Sequence, residues 1–408
     1  MSLRFQEAGP SFAAPPCAEG RLPTLFGFSG DVGKRLASLH VLVLAAGSVG
    51  FAIALLLARL GVGRLDIVDP KRLKPQSLVT HQGLRPEDVG EFKALAAARA
   101  CSALGTGTRV RHFIGTSHGM SRADLAGVDC AIASPDNLAA ELSMGDLCLQ
   151  HGIPLIHASV HGQTLVAQVR VYANSSADSP TPACGFTSAE REMLDQQVLF
   201  SCEGSPVATP TPEVSGEATN SLPSLCSMAA DLAVTQFLRH VLGLGEPVGD
   251  TALEWCAYTH RTVVTPIRCK GTCRCDHARF NFVRGSRPLA DCSPAELVFQ
   301  ADPMLFDGPP TLALGDLAWA ERGTCVCGRR QSVGRFVRPS EPLAGTCPRC
   351  GGALRCAPFF LLPRVPAGRL GTALDTPLRD LGAAGAEWAL VRSDHAGTVF
   401  LNPELITP

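Results

Sequence analysis

The stretch that decides the fold is residues 41–69, which read VLVLAAGSVGFAIALLLARLGVGRLDIVD. It begins with the continuous apolar run that is typical of a buried parallel strand. A glycine turn, an apolar helix and a second strand follow, and the second strand ends at Asp69. Gly47 and Gly50 let the backbone turn tightly and approach a phosphate at the start of the helix. The stretch therefore predicts a nucleotide-binding βαβ unit in which Asp69 accepts a hydrogen bond from a ribose hydroxyl.

The glycine motif is imperfect, because Ala45 stands where its first glycine is expected. A glycine-rich turn also occurs in βαβ units that bind no ligand, so a plain packing unit is the alternative interpretation. The helix is expected to end near Leu60, because Gly61 suits a left-handed cap. Strand, turn, helix and terminal acid together favour a nucleotide site over simple packing.

Length, charge and cysteine content exclude several classes of protein. The chain has 408 residues, enough for two or three domains, and 36 Lys and Arg nearly balance 37 Asp and Glu. No basic stripe indicates a nucleic-acid partner, and the apolar run at 51–60 falls short of the roughly 20 residues of a membrane span. The N-terminus lacks the pattern of a secretory signal. Many of the 17 cysteines fall in pairs at metal spacing, so we expect a reducing cytoplasm with bound zinc rather than disulfides.

Strands and helices alternate through the first half of the chain, which predicts a doubly wound, mostly parallel α/β sheet of Rossmann type. The segment Leu165–Tyr172 is expected to close this sheet after a hairpin at residues 161–162. Residues 173–222 are rich in Ser, Pro, Thr and Ala, so we expect a long functional or mobile loop there. A helix is then predicted over residues 225–242, ending at Gly243.

The chain is expected to divide into four segments. Residues 1–35 form an N-terminal arm, and residues 36–250 form the α/β domain with its long loop. Residues 251–300 are a cysteine-rich closing segment, and residues 301–408 form a C-terminal domain with a zinc ribbon.

Two polar residues fall where an ATP site on such a sheet needs them. Lys93 lies on the first turn of a helix after the loop that follows Asp69, where its ammonium can face phosphate oxygens. Asp136 follows a predicted strand and stands at a helix N-cap, where ligands bind in open α/β sheets. Its carboxylate could hold Mg²⁺ there. A solvated helix lysine and a simple capping aspartate are the alternatives.

These motifs resemble the ThiF/MoeB/ubiquitin-activating-enzyme superfamily over about residues 21–245. The resemblance rests on RLPTLFGFSGDVGKRL before the first strand and on VLVLAAGSVG, IVDPKRL, VGEFKA and SPDN after it. It implies a ThiF-type adenylation fold, of bacterial type, that adenylates the C-terminal glycine of a ubiquitin-like or sulfur-carrier protein with ATP and Mg²⁺. It also implies that Lys93 binds ATP, that Asp136 binds magnesium, and that Arg21 reaches the partner's nucleotide in a homodimer.

The chain departs from the family pattern at four positions. Ala45 replaces the first glycine, Ser77 and Thr80 replace the usual Asn and Arg, and Glu141 stands where an arginine commonly follows the aspartate. Arginine forms bidentate contacts that serine, threonine and glutamate cannot reproduce. Two interpretations therefore stay open. One is an active enzyme; the other is a degenerate, non-catalytic scaffold that binds a ubiquitin-like protein or an active partner.

Cys202 lies on the segment that resembles the family's crossover loop, where thioester-forming members carry a nucleophile. An exposed loop thiol can take the acyl group from an acyl-adenylate as a thiolate. A loop cysteine without a role is the alternative. Cys101, Cys148 and Cys226 lie in predicted helices, and we expect them to be inert core thiols.

A zinc ribbon is predicted in the C-terminal part of the chain. Cys325 and Cys327 form one pair, Cys347 and Cys350 form the other, and glycine follows each pair to turn the backbone toward an ion. Four thiolates give a closed tetrahedral site, so its expected role is structural. Reduced free cysteines are the alternative interpretation.

A second cysteine constellation is less regular. Cys269, Cys273, Cys275 and His277 offer three thiols and an imidazole within nine residues. Four ligands from so short a run are hard to arrange around one ion. Cys184 could replace Cys269 as the fourth ligand, tying the crossover loop to the sheet as the paired-cysteine zinc of the family does.

The sequence and the resemblance together predict a cytoplasmic activating enzyme with ATP, Mg²⁺ and Zn²⁺ as cofactors. A conjugating enzyme or a sulfur donor is the further partner expected besides the Gly-terminated protein. The glycine turn and Asp69 alone would also suit an NAD-dependent oxidoreductase. That alternative is disfavoured because it leaves Lys93 and Asp136 unexplained.

Overall fold

The structure is a computed structural model of the chain. It describes residues 5–7, 22, 25–117, 120, 122–125, 127–176, 179–188, 190–192, 222–246, 249–269, 277, 279–301, 308–315, 317–339, 343, 345–356, 360–393 and 396–403. The chain divides into two compact units, residues 1–120 with 127–277 and residues 121–126 with 278–408. The boundaries expected at residues 250 and 300 lie on either side of the division after residue 277.

The first unit alternates strands and helices. Its strands are β1 (Gln6–Glu7), β2 (His40–Leu44), β3 (Arg64–Val68), β4 (Arg109–Phe113), β5 (Cys130–Ala133), β6 (Leu155–His161), β7 (Val166–Tyr172), β8 (Thr251–Cys256) and β9 (Arg261–Pro266). Its α-helices are α1 (Val32–Ala37), α2 (Ser48–Arg59), α3 (Ser77–Thr80), α4 (Lys93–Ser102), α5 (Leu138–His151) and α6 (Pro223–Leu242).

Within the described residues, the nine strands of this unit form one sheet in the order β1-β4-β3-β2-β5-β6-β7-β8-β9. The central strands from β4 to β6 are parallel, whereas β1 at one edge and β7 to β9 at the other are antiparallel. The doubly wound, mostly parallel sheet is therefore confirmed. The chain passes from β2 to β3 on one side and later places β5 on the other side, so the strand order reverses between β2 and β5. Ligands bind at the carboxyl ends of strands beside such a reversal.

The prediction that Leu165–Tyr172 closes the sheet is wrong. The hairpin between β6 and β7 is present, but β8 pairs with β7 and β9 pairs with β8 beyond it. All six residues of β9 are exposed. A strand that buries neither face lacks the alternation of apolar and polar residues by which a strand is recognised in a sequence.

Helices α2, α4 and α6 pack on one face of the sheet and bury its main apolar core. Phe51, Ile53 and Leu57 of α2 are fully buried, and each such side chain contributes about 1.5–3 kcal/mol relative to an exposed one. The predicted helix ends are confirmed, since Gly61 after α2 and Gly243 after α6 both adopt positive φ. In the part of the chain that the structure describes, no helix combines the length and apolarity that crossing a bilayer requires.

The three cysteines expected to be core thiols are buried. Cys101, Cys148 and Cys226 are at most 2% exposed. Burial raises the pKa of both Cys101 and Cys148 to about 12. A thiol with so high a pKa stays protonated near neutral pH and is a poor nucleophile. These residues serve as small apolar side chains of the core.

A buried ion cluster joins strands β2, β3 and β4. Asp66 is fully buried and accepts hydrogen bonds from Arg111 at 2.8 and 2.6 Å, and its Oδ2 lies 2.7 Å from Nε2 of His40. Burial alone would raise the pKa of Asp66, but Arg111 and His40 hold it well below its usual range. Because a buried carboxylate without partners is strongly destabilising, this cluster opposes any slip of β3 against its neighbours.

In the second unit, the described residues form two smaller sheets. Its strands are β10 (Arg279–Arg284), β11 (Thr311–Leu314), β12 (Ala318–Cys325), β13 (Arg330–Val337), β14 (Leu354–Arg355), β15 (Leu361–Leu362), β16 (Val365–Pro366), β17 (Trp388–Arg392) and β18 (Ala396–Leu401), with the helix α7 (Pro294–Gln300). One sheet has the order β10-β18-β17-β11-β16, and the other has β13-β12-β14 with β15 also paired to β12. Trp319 and Phe336 meet edge to face in its core, with ring centroids 5.0 Å apart.

The first turn of α2 comes unusually close to the end of β2. A Cβ atom on Gly50 would lie 1.9 Å from the carbonyl oxygen of Ala45 and 2.8 Å from Oγ of Ser134. Ala45 has a φ of +72°, a left-handed conformation that costs a non-glycine residue about 1–2 kcal/mol. Gly47, by contrast, has ordinary extended dihedral angles and open space where its Cβ would be. Gly50 is therefore required by contact with the backbone, whereas Gly47 is not.

Replacing Gly50 by alanine should lower the free energy of unfolding of the first unit by about 1–3 kcal/mol or more, because the new methyl group must displace backbone atoms. Gly47→Ala is the matched control and should lower it by only about 0.5 kcal/mol, because alanine is a poorer N-cap than glycine but its methyl group would meet no other atom. Hydrogen exchange of the α2 amides under native conditions measures both changes. Equal protection in Gly50→Ala and wild type would contradict the close approach.

Candidate nucleotide site and metal centres

A cleft of about 290 Å³ lies at the carboxyl ends of the central strands, beside the reversal of strand order. The loops that follow β2, β3, β4 and β5 and the first turns of α4 and α5 form its walls. The lining residues are Ala45, Gly47, Val68, Asp69, Pro70, Lys71, Lys93, Gly115, Thr116, Ser117, Ser134, Pro135, Asp136, Asn137, Ala139, Ala140, Ser143 and Met144. The structure thus brings Gly47, Asp69, Lys93 and Asp136 of the predicted site together around one cleft.

Asp69 is both a lining residue of the cleft and a structural anchor. Its Oδ2 accepts a hydrogen bond from the N–H of Ala46 at 2.8 Å, and its Oδ1 accepts one from the N–H of Lys71 at 2.7 Å. Burial raises the pKa of Asp69, although these N–H groups and the charge of Lys93 act in the opposite direction. A carboxylate oxygen accepts more than one hydrogen bond, so a ribose hydroxyl could still be bound.

Lys93 is brought to the cleft by backbone pairing between two loops. Its N–H donates to the carbonyl of Lys71 at 2.9 Å. In the same two segments, the N–H of Leu73 donates to the carbonyl of Glu91 and the N–H of Gly90 donates to the carbonyl of Leu73. The guanidinium of Arg72 stacks on the ring of Phe92, 3.6 Å from its centroid. Lys93 is the first residue of α4, as expected, and its position follows from this pairing rather than from α4 itself.

Asp136 lies at the cleft but does not cap a helix, so that prediction is wrong. Asn137 is the N-cap of α5, and its side-chain oxygen accepts from the N–H of Ala140 at 2.8 Å. Asp136 instead pairs with Lys71, whose Nζ lies 2.5 Å from Oδ2. Burial would raise the pKa of Asp136, but hydrogen bonds from Lys71 and Asn137 hold it below its usual value. The sequence analysis did not identify Lys71, because nothing in IVDPKRL indicates a partner 65 residues away.

The N-terminus of α2 opens at the edge of the cleft. Gly47 is the N-cap of α2 and provides no side-chain hydrogen bond to the first turn. The first N–H groups of a helix have no partners within the helix, and the helix dipole favours negative charge there. Together with the ammonium groups of Lys71 and Lys93, this end of α2 offers a suitable environment for phosphate groups.

His81 is a second residue beside this turn that the sequence analysis missed. It is 6% exposed, and its ring meets Phe51 edge to face at 5.7 Å between centroids. Its Nδ1 lies 3.2 Å from Oγ1 of Thr80 and 3.5 Å from Oγ of Ser48. Burial lowers the pKa of His81 to about 4, and the charge of Lys93 acts in the same direction. The ring is therefore neutral at pH 7.

Three residues that depart from the family pattern lie outside the set that lines the cleft. The hydroxyl of Ser77 accepts a hydrogen bond from the N–H of Lys74, and Thr80 contacts His81. Glu141 pairs with Arg170 at 3.3 Å on the neighbouring strand β7. These side chains are used within the protein.

Glu141 belongs to a buried polar group behind the cleft. His157 of β6 is 4% exposed, and its Nδ1 lies 3.8 Å from Oε1 of Glu141. Burial raises the pKa of Glu141 against the opposing effect of Arg170, and burial with the charge of Arg170 lowers the pKa of His157 to about 3. His157 is therefore neutral at pH 7, beside the pair formed by Glu141 and Arg170.

Several predicted site residues lie outside the described residues. These are Arg21, expected to act across a dimer interface, Cys202, expected to be a nucleophile, and the possible zinc ligands Cys273 and Cys275. Their roles stay predictions. Gly50, the other predicted nucleotide residue, is buried under the turn and supports the cleft from behind rather than lining it.

The four cysteines of the predicted zinc ribbon converge. All four Sγ atoms of Cys325, Cys327, Cys347 and Cys350 lie within 4.8 Å of one another. Tetrahedral zinc with thiolates at about 2.3 Å places the sulfur atoms about 3.8 Å apart, and two of the pairs here lie at 3.3 and 3.7 Å. Backbone N–H groups of Arg349 and Cys350 lower the pKa of Cys347 to about 6, which favours the thiolate that a metal needs. The donor set fits zinc.

The second constellation assembles differently from the prediction. The Sγ atoms of Cys184 and Cys269 lie 3.8 and 3.5 Å from Nε2 of His277. Cys269 is therefore part of the group with Cys184, whereas the sequence analysis had Cys184 replace it. The ligand atoms of Cys184, Cys269 and His277 lie within 4.8 Å of one another, although Cys184 is far from the other two along the chain. Three donors fit zinc, and a fourth ligand would have to come from elsewhere.

The chain is similar to a known protein family and to curated proteins. The model of the ThiF family matches residues 22–275. The chain is 28% identical to adenylyltransferase and sulfurtransferase MOCS3-1 of Zea mays over 60% of its own length and 47% of that protein. It is 25% identical to sulfur carrier protein adenylyltransferase of Thermus thermophilus over 53% of its length and 73% of that protein. The match thus spans about half the length of the maize relative.

Among solved structures, the chain is similar to the crystal structure of E. coli MccB with succinimide. The TM-score is 0.45 and the identity 14%, over 60% of this chain and 68% of that one.

Acid should destabilise the protein partly through His81. Because the unfolded histidine, with a pKa near 6.5, binds more protons than the folded one between pH 6.5 and 4, stability is lost as pH falls through that window. Between pH 7 and 5 the wild type should lose about 2 kcal/mol more stability than His81→Gln, which keeps a polar side chain that does not titrate. Urea unfolding at the two pH values measures the difference, and parallel losses in both proteins would contradict a depressed pKa.

Proposed function

Because the chain belongs to the ThiF family, we propose that it activates the C-terminal glycine of a ubiquitin-like or sulfur-carrier protein by adenylation. In this reaction a carboxylate oxygen of the glycine attacks the α-phosphorus of ATP. The bond from that phosphorus to the bridging oxygen breaks, and pyrophosphate leaves. The products are an acyl-adenylate on the protein and free pyrophosphate.

One observation carries this proposal: Asp69 and Asp136 from two different loops and Lys93 from the start of α4 line a single cleft beside the N-terminus of α2. An acid for the ribose, a cation for the phosphates and an acid for a metal are the groups that ATP chemistry needs. Such a combination at a reversal of strand order is far more specific than a glycine turn alone.

Asp136 is the residue that would hold Mg²⁺, and it supplies one of the oxygen ligands that the ion needs. Mg²⁺ is commonly bound by one or two carboxylates together with phosphate oxygens and water. Asp136 offers one carboxylate, and its side chain is 67% exposed toward the cleft, though Lys71 contacts it. When bound, Mg²⁺ would neutralise phosphate charge. Lys93 would add a fixed positive charge from the side of α4.

The partners of the protein are part of the proposal. The relatives named above are an adenylyltransferase and sulfurtransferase and a sulfur carrier protein adenylyltransferase, and this supports a sulfur-carrier or ubiquitin-like substrate. A conjugating enzyme or a sulfur donor would receive the activated product. A homodimer in which Arg21 adds charge to the partner's nucleotide completes the proposed assembly.

Thioester formation on Cys202 is a second step of the proposal. The thiolate would attack the acyl carbon of the adenylate, AMP would leave, and a thioester would result. The resemblance of its segment to a crossover loop supports this role.

A non-catalytic scaffold is the alternative function. The observation in its favour is that the side chains at three departing positions, Ser77, Thr80 and Glu141, bond within the protein. The described residues that line the cleft include no arginine. Such a protein would bind a ubiquitin-like protein or an active partner without adenylating it.

We also propose that the two cysteine groups bind zinc as structural ions. The ion bound by the four cysteines of the second unit would link the end of β12 to the segment that precedes β14. The group of Cys184, Cys269 and His277 would take a fourth ligand from Cys273 or Cys275. Closed thiolate sites stabilise small β-units that bury little apolar surface.

Adenylation is tested by ATP–pyrophosphate exchange with a panel of small proteins that end in Gly-Gly. Lys93→Ala and Asp136→Ala should each reduce exchange by about 100-fold or more, because charge stabilisation of the transition state is lost. Lys34→Ala, which removes an exposed lysine of α1 outside the cleft, is the matched control and should keep wild-type exchange. Wild-type protein that binds a panel member without any exchange would establish the scaffold instead.

The zinc assignment is tested by elemental analysis of the purified chain. Cys347→Ser should lose about one zinc per chain and unfold the second unit, since a structural ion contributes folding energy directly. Cys356→Ser is the matched control, because this nearby thiol donates to the carbonyl of Arg322 and lies outside the four-cysteine group. Wild-type zinc content in a chain with all four cysteines replaced by serine would refute the assignment.

A further inference from the structure

Lys71 spans the cleft and occupies the carboxylate of Asp136. Its Nζ lies 2.5 Å from Oδ2 of Asp136, and both residues line the cleft. The other oxygen of Asp136 accepts from Nδ2 of Asn137 at 3.0 Å. The carboxylate that would take a divalent cation is therefore already neutralised by a cation of the protein itself.

The backbone of Lys71 is held in place on both sides. Its N–H donates to Asp69, and its carbonyl accepts from the N–H of Lys93. The side chain, by contrast, is 50% exposed and is free to change rotamer on its flexible stem. Lys71 can thus leave Asp136 without any movement of the loop that carries it.

The charges that line the cleft determine how the Lys71–Asp136 ion pair affects metal binding. Among the described residues that line the cleft, two carboxylates, Asp69 and Asp136, are balanced by two ammonium groups, Lys71 and Lys93. A free divalent cation at Asp136 would meet the ammonium of Lys71, which lies 2.5 Å from the carboxylate, and would have to displace it. A metal that arrives with a triphosphate brings its own negative charge, which also gives the displaced ammonium a new partner.

We propose that Lys71 competes with a divalent cation for Asp136, so that the cleft takes its metal only together with a nucleotide. Lys71 then acts as a positioning residue: it holds the carboxylate of Asp136 in place until the metal replaces it, and the released ammonium meets a phosphate oxygen. This rests on the proposed nucleotide site, and it adds a mechanism for excluding free metal from that site.

The test measures Mn²⁺ binding to the full-length, zinc-loaded chain without nucleotide, by the electron paramagnetic resonance signal of free Mn²⁺. Mn²⁺ takes oxygen ligands as Mg²⁺ does. Lys71→Met keeps the length of the stem and removes the charge, and it should bind Mn²⁺ about tenfold more tightly than wild type. Lys74→Met, which removes a lysine of the same loop outside the cleft, is the matched control and should bind like wild type.

Two further measurements make the outcome decisive. Asp136→Asn in the Lys71→Met background should abolish the gained affinity, and ATP should narrow the difference between wild type and Lys71→Met. If Lys71→Met is poorly folded by circular dichroism, Lys71→Gln replaces it. Equal Mn²⁺ affinity of wild type and the folded variant, or a gain that survives Asp136→Asn, would overturn the inference.

The result is separable from the proposed function. Tighter Mn²⁺ binding by Lys71→Met together with no exchange by wild type would support the competition and reject adenylation. Unchanged Mn²⁺ binding together with normal exchange would reject the competition and support adenylation.

Discussion

The contact between the first turn of α2 and the end of β2 is the constraint on which the site depends. With no side chain on Gly50, the helix begins directly against the carbonyl of Ala45, and Ala45 accepts a left-handed backbone in return. This geometry places the N-terminus of α2 at the edge of the sheet where the strand order reverses. If α2 began farther from the end of β2, its dipole and its unpaired N–H groups would be too far from the cleft to act on a phosphate. Their effect falls off within about one turn.

Hydrogen bonds to Asp69 connect the glycine turn before α2 to the rest of the cleft. One of its oxygens holds the N–H of Ala46 in the glycine turn, and the other holds the N–H of Lys71 in the next loop. The carbonyl of Lys71 in turn accepts from Lys93 at the start of α4. A single buried carboxylate thus links three loops, which explains why it tolerates the desolvation that raises its pKa. A substitution at Asp69 would disturb structure and ligand contacts together.

At two positions where the family pattern has an arginine, Thr80 and Glu141, the side chain contacts other residues of the protein and does not line the cleft. Glu141 pairs with Arg170 of β7 and lies near the buried His157 of β6, so its charge is used inside the protein and stays away from a ligand. Lys71 supplies a cation within the cleft, from a loop position that the family resemblance does not mark. Positive charge in the cleft therefore comes from two lysines. Lysine is a compact charge without the bidentate geometry of arginine, so the orientation of phosphates depends more on backbone N–H groups.

The sequence by itself determined the central βαβ unit, the placement of Asp69 and Lys93, and the convergence of Cys325, Cys327, Cys347 and Cys350. Each of these follows from local signals: apolar periodicity, a glycine turn, or ligand spacing within a short segment. Only the tertiary structure decided that Lys71 meets Asp136 and that Cys269 joins Cys184. It also decided that the exposed strand β9 extends the sheet. These features depend on which residues meet across long separations in the chain, and no local propensity encodes such pairings.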